Sequence, residues 1–211
     1  TAIEDADNAG SSDLYLKEQT GAYAQFPRKV TFEEFLKLTE NCDEHEQYEY
    51  IDGTMYLLES PRANHQQVLG ELFGIFYNWF KGKKCRPMLC PFDIKLSRFE
   101  NDKNVVQPDL MVICDLEEKL NERNYYDGVP ALVVEILSES SRGKDSVKKL
   151  DLYMSTGIQE YWIVNPINKE VTVFLFENRD VAESATYKND EEVSSFIFNG
   201  LSVPLKSIFE Y

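Results

Sequence analysis

Residues 105–114 read VVQPDLMVIC and residues 131–137 read ALVVEIL. Both runs are apolar at nearly every position, which suits central strands with a layer packed on each face. The polar exceptions are Gln107 and Asp109 in the first run and Glu135 in the second. Each acid is therefore expected as the lone carboxylate inside a hydrophobic strand. Burying an unpaired carboxylate costs on the order of several kcal/mol even after relaxation. Something must compensate for two of them.

Working outward, the segments on either side supply the layers. Val68, Leu69, Leu72, Phe73, Phe76, Trp79 and Phe80 recur at helical spacing after Ser60-Pro61, and Lys81-Gly82 closes that run. It is the longest amphipathic helix and the natural cover for one sheet face. Before it, two β-prone runs flank Asp52-Gly53, a pair suited to a type I′ turn, so residues 48–58 read as a hairpin in which Glu49 and Ile51 share a face. Thr31 followed by Glu34 is a capping-box signature, and Phe32, Phe35, Leu36 and Leu38 give the short helix behind it an apolar side. Phe92, Ile94 and Leu96 alternate with Asp93, Lys95 and Ser97, as in a half-buried strand.

Downstream, a helix is expected over about residues 144–156, with Gly157 after its end and Val147, Leu150 and Met154 as its core stripe. Asp145, Lys149 and Tyr153 fall on another face at i, i+4, i+8. A strand over 160–164 and a return strand over 171–176 follow, then a polar loop over about 178–192 and two short apolar runs ending at Phe209. Phe196, Ile197, Phe198 and Leu201 read as packing on the domain or as an interface. Residues 1–25 are polar and acidic without a periodic apolar face and read as a poorly ordered leader, leaving 26–211 as a single domain.

The totals limit the function classes. A hydrophobic fraction of 43% in 211 residues is enough for a sizeable core. A net charge of −15 repels nucleic acid and anionic membranes at long range, although a bound cation reverses the sign locally. Four cysteines without a close C-x-x-C pair, and only two histidines, argue against structural zinc. They read as free thiols in a reducing cytoplasm, with Cys114 buried in a strand. No run approaches the length of a membrane span, and no signal peptide is visible.

If the strands carrying Asp109 and Glu135 are neighbours, the two acids converge on one cation, and Mg²⁺ accepts such a pair while keeping several waters. The alternative is that each acid is salt-bridged or sits at a strand end. Lys149 either orients or deprotonates an attacking water, or forms a solvated pair with Asp145. Glu49 is either a third acid of the site or a surface glutamate. His65 is a site residue or a polar member of a first helical turn. Tyr153 and Tyr161 are site groups or core aromatics with satisfied hydroxyls.

One set of motifs occurs in order: residues 48–53 (YEYIDG), Ser60-Pro61 with His65, residues 107–110 (QPDL), residues 134–138 (VEILS), Asp145 with Lys149 and Tyr153, and residues 160–166 (EYWIVNP). The ordered set resembles the Uma family of putative restriction endonucleases, a branch of the PD-(D/E)XK nuclease superfamily, over about residues 30–176. The resemblance implies a restriction-endonuclease-like α/β fold, a central mixed β-sheet flanked by helices with an N-terminal β-hairpin. It implies metal-dependent hydrolysis of nucleic-acid phosphodiesters, DNA above all, with Mg²⁺ (or Mn²⁺) held by Asp109, Glu135 and the carbonyl of Ile136. Glu49 is then the additional acid and Gln107 belongs to the motif around Asp109. One departure is plain: the superfamily lysine is expected two residues after the second acid, where this chain has Leu137. The resemblance implies Lys149 instead, with Lys148 second choice and Lys95 third. A homodimer is expected by analogy. The competing expectations are an interaction protein that kept the fold without the chemistry, and a phosphoesterase with a substrate other than nucleic acid.

Overall fold

The computed structural model describes residues 27–40, 42, 46–122, 124–138 and 144–210. The leader expected over 1–25 and the side chain of Asp145 lie outside them. The chain opens with β1 (Arg28–Lys29) and helix α1 (Phe32–Glu40). Glu34 N donates to Thr31 Oγ1 at 3.2 Å while Thr31 N donates to Glu34 Oε2 at 2.8 Å, the reciprocal capping box. Phe35 turns inward, but Leu36 is exposed, which narrows the expected apolar side. The hairpin is β2 (Tyr48–Ile51) and β3 (Thr54–Leu57), and Asp52 and Gly53 between them both take positive φ, 50° and 73°. That is the backbone a type I′ turn needs.

Helix α2 (Ala63–Phe80) leads to β4 (Arg86–Leu89), β5 (Ile94–Leu96), β6 (Asn104–Val106), β7 (Leu110–Ile113) and the one-turn α3 (Leu116–Lys119). After β8 (Leu132–Ile136) come helix α4 (Lys144–Thr156), β9 (Glu160–Asn165), β10 (Glu170–Glu177) and β11 (Asp180–Lys188). A two-stranded ribbon, β12 (Glu192–Ser194) and β13 (Ser202–Pro204), and helix α5 (Leu205–Phe209) complete it.

Six strands form the main sheet in the order β11-β10-β9-β8-β7-β4, in which β8 and β9 run parallel and the other neighbours antiparallel. Five more form a second, antiparallel sheet in the order β1-β3-β2-β6-β5. The period of two along each central strand sorts its side chains between two cores. Leu110, Val112, Leu132, Val134, Trp162 and Val164 face α2 and the C-terminal ribbon. Met111, Ile113, Val133 and Tyr161 face α4 and the second sheet. Helix α2 has no side-chain cap at Arg62. Packing holds it: Val68, Leu69, Leu72, Phe76 and Phe80 are buried, each worth roughly 1.5–3 kcal/mol over an exposed side chain.

Four expectations are corrected. Residues 105–114 are two strands rather than one. Pro108, with no N–H to donate, ends the ladder that pairs β6 with β2, and the chain passes into the main sheet as β7. Asp109 therefore precedes its strand instead of lying within it. Second, the polar stretch after Asn178 is the nine-residue strand β11, turned by Asn178 and Arg179 at φ 52° and 64°. Its polarity reflects an exposed sheet edge. Third, Leu152 and Tyr153 are the buried residues of α4 among the described side chains, while Val147 is 66% exposed. Fourth, Cys85 and Cys114 are disulfide-bonded across β4 and β7, whereas Cys42 and Cys90 are free thiols. Phe196, Ile197 and Phe198 pack against the α2-side core. No helix among the described residues is long and apolar enough to cross a membrane.

Candidate active site

The antiparallel register that sets Leu110 against Val134 brings Asp109 alongside Glu135. Asp109 Oδ2 accepts the Ile136 N–H at 2.7 Å. Glu49 arrives from β2 in the second sheet, and its Oε1 accepts the Gln107 N–H at 2.9 Å. Lys149 reaches in from α4 with Nζ 2.9 Å from Glu49 Oε1 and 2.9 Å from Glu135 Oε1. One turn later on the same helix face, the Tyr153 hydroxyl donates to Glu135 Oε1 at 2.6 Å. His65, in the first turn of α2, places Nε2 3.2 Å from Asp109 Oδ2. Both sheets and both long helices thus contribute.

Burial sets the charges. It pushes the Glu135 carboxyl up to about 7, with Asp109 and Glu49 adding to the shift and Lys149 opposing it. Burial disfavours the Lys149 ammonium too, yet Glu135 and Glu49 outweigh it and hold its pKa well above the lysine range. Lys149 is a fixed cation here, with its side chain 12% exposed. Desolvation also works against His65⁺, but the hydrogen bond and charge of Asp109 raise its pKa. Burial drives the Tyr153 hydroxyl far up, and Glu135 and Glu49 reinforce this. At the inner end of the cleft the carboxyls of Asp109, Glu135 and Glu49 meet the one ammonium of Lys149, while Glu59, Arg62 and Lys148 line it from exposed positions.

These groups open on a cavity of about 530 Å³, lined also by Ile136, Lys148, Cys90 and Tyr161. Two buried polar atoms on its wall, His65 Nδ1 and Tyr161 Oη, have no hydrogen-bond partner among the described residues. No group of three His, Cys, Asp or Glu side chains among those residues is drawn tightly enough to form a closed metal cage. Two carboxylates, a backbone carbonyl and room for water nevertheless form a hard-oxygen donor set of the kind Mg²⁺ takes, since it retains several waters. The residues fit a divalent cation of that class.

The remaining candidates fall into place around this centre. Lys148 is exposed at the rim, its Nζ 2.6 Å from Tyr56 Oη. Gln107 sits at the wall, bonded through Nε2 to Asp93 Oδ1 at 2.7 Å. Lys95 is not brought to the site: it is 58% exposed and pairs with Asp127 at 3.8 Å. Its alternation with apolar neighbours pointed it away from the core of the second sheet, and that face looks outward.

Two other residues of this region carry no pattern legible in the sequence. Cys90 lies in the cleft with its thiol pushed up to about 12 by burial and by Asp109, Glu135 and Glu49. Arg98 clamps the hairpin turn to α4, with Nη1 2.7 Å from Asp52 Oδ1, Nη2 3.2 Å from Asp151 Oδ2 and Nε 2.9 Å from Ser155 Oγ. An arginine in a loop after β5 carries no periodic signal.

Residues 32–206 match the Uma2 family model, described as a putative restriction endonuclease. The uncharacterized protein slr1290 of Synechocystis sp. is 30% identical over 152 residues, covering 72% of this chain and 76% of that protein. A crystal structure of a putative nuclease belonging to DUF820 from Anabaena variabilis superposes with a TM-score of 0.65, 22% identity, and coverage of 85% of this chain and 97% of that one. At that identity the likeness speaks for the fold, which is restriction-endonuclease-like.

Proposed function

Because the chain belongs to the Uma2 family, we propose that it is a divalent-metal-dependent endonuclease that hydrolyses phosphodiesters in nucleic acid, DNA foremost. One observation carries the reading. A lysine is fixed 2.9 Å from two buried carboxylates drawn from different sheets, beside a third acid just ahead of the neighbouring strand. Asp109, Glu135 and the carbonyl of Ile136 would hold Mg²⁺ or Mn²⁺. A bound cation of that kind supplies Lewis-acid polarisation of a phosphoryl oxygen.

The chain's own groups do the rest. His65 and the Ile136 N–H fix Asp109 Oδ2, which orients the carboxylate. Lys149 has a third N–H beyond the two that meet Glu49 and Glu135, and that donor can hold a water or face charge developing on a phosphate. Its raised pKa makes it a positioning cation rather than the proton acceptor. Glu49 keeps Lys149 in place and ties Gln107 to the wall.

A second reading, an interaction protein without chemistry, is favoured by the net charge of −15 and by the fact that Lys149 already has two acidic partners. Calorimetric titration of Mg²⁺ and Mn²⁺ separates the two. The nuclease reading expects binding by the wild type, its loss in Asp109→Ala and Glu135→Ala, and metal-dependent cleavage of DNA or RNA. Absence of both binding and cleavage in the wild type would favour the interaction protein.

A further inference from the structure

Beside the cleft lies a shallower depression of about 280 Å³, lined by Phe92, Asp93, Asn124 and Tyr125 among others. Pro91 and Gln107 line both hollows, so the two are adjacent. The Tyr125 ring is 55% exposed, yet its backbone is firmly held. Tyr125 N donates to Asn121 Oδ1 at 3.0 Å, and Tyr125 O accepts the Asn121 N–H at 2.9 Å. The next residue, Tyr126, is buried, with its hydroxyl 2.7 Å from Asp115 Oδ1. A large exposed ring is thus presented in a fixed place. The Lys95 ammonium stands 6.0 Å from its centroid.

The depression is lined mainly by rings and Pro91, with the Asp93 carboxylate and the amides of Gln107 and Asn124 as its polar groups. Asp93 holds the Gln107 side chain, whose own backbone N–H is held by Glu49. Asp93 would repel a phosphate, and a purely aliphatic ligand would gain nothing from a carboxylate. A flat ring with N–H donors on its edge suits both the tyrosine face and the acceptors.

We propose that this depression is a nucleobase subsite, in which one unpaired base stacks on Tyr125 and turns its amine edge to Asp93. The proposal rests on the nuclease reading and narrows it: the nucleotide next to the cleaved phosphate must be single-stranded or extruded from its stack. The base chemistry of the subsite and the acid cluster are then linked through one residue, Gln107, by its side chain to Asp93 and its backbone N–H to Glu49.

Fluorescence anisotropy tests this with the full chain and short labelled single-stranded DNA, using Ca²⁺ in place of Mg²⁺ to keep a hard-oxygen cation present. We expect Tyr125→Ala to bind roughly tenfold more weakly, and Tyr125→Trp to bind like the wild type. An abasic nucleotide moved along the strand should weaken wild-type binding at one position and leave Tyr125→Ala unaffected there. Equal binding by wild type and Tyr125→Ala on every strand overturns the subsite, as does a Tyr125→Ala penalty that persists at every abasic position. If the wild type neither binds nor cuts any oligonucleotide, the nuclease reading fails, and the subsite fails with it.

Discussion

Lys149 Nζ stands 2.9 Å from Glu135 Oε1, and each side chain is 12% exposed. Little solvent screens the pair, so removing the cation leaves two buried acids without compensation. Lys149→Met is expected to destabilise the protein by about 3 kcal/mol in urea unfolding. Cleavage should fall at least a hundredfold, while titration still detects metal at Asp109 and Glu135. A Lys149→Met protein that cleaves at the wild-type rate would remove Lys149 from the mechanism.

Glu160 is a further buried acid, outside the cleft. Its carboxylate accepts from Trp162 Nε1, Ser195 Oγ and Ile197 N and so ties β9 to the C-terminal ribbon. Burial raises its pKa above the ordinary 4.5 despite these donors. The folded state therefore binds this proton more tightly than the unfolded chain. The stability it contributes is full below 4.5 and is lost as pH rises through the raised folded value. Glu160→Gln loses an acceptor, at a cost of about 1 kcal/mol in acid. The gap between variant and wild type should narrow as pH rises, and chemical denaturation at a series of pH values would show it. A gap that widens would contradict the raised pKa.

Gly128 has no room for a side chain. A Cβ there would lie 2.4 Å from the Tyr126 ring, which is buried and anchored to Asp115. Gly128→Ala should cost roughly 1–3 kcal/mol and shift the ring and the loop that carries Tyr125. Thermal unfolding and near-ultraviolet circular dichroism would register both. Unchanged stability would mean that the ring is free to move aside.

The Cys85–Cys114 bond closes a loop of sequence separation 29, which should contribute roughly 3 kcal/mol by restricting the unfolded chain. Alkylation of the denatured, unreduced protein should modify Cys42 and Cys90 alone, giving two adducts by mass spectrometry. Four adducts would show that the bond is absent.

Local signals in the sequence were legible where a short stretch determines its own geometry. The Thr31–Glu34 box, the Asp52-Gly53 turn and the α2 stripe each depend on neighbours within a few residues. The strand that carries Glu135 was legible because burial on both faces leaves a nearly continuous apolar run. What depends on distant pairing was not. The run over 105–114 is divided at Pro108 because β6 and β7 pair in different sheets. β11 hid behind polar residues because an edge strand has little to bury. The stripe on α4 was misplaced for a related reason: the helix turns Lys149 and Tyr153, a polar pair, toward the interior. The partners of Lys149 lie 14 and 100 residues away, and Arg98 gathers acids from positions 52, 102 and 151. Only tertiary structure brings such groups together.

The crossing at Pro108 also bears on how the protein assembles. Glu49 belongs to one sheet and Glu135 to the other, and residues 107–109 are the short hinge of chain between them. A folding intermediate in which each sheet is complete but the two are undocked has its full complement of strands and lacks the Glu49–Lys149–Glu135 cluster. During refolding, the far-ultraviolet signal can therefore recover before Glu49 meets Lys149. Sliding of one sheet against the other in the native protein would open the gap between Glu49 and Glu135 before it disturbed either ladder.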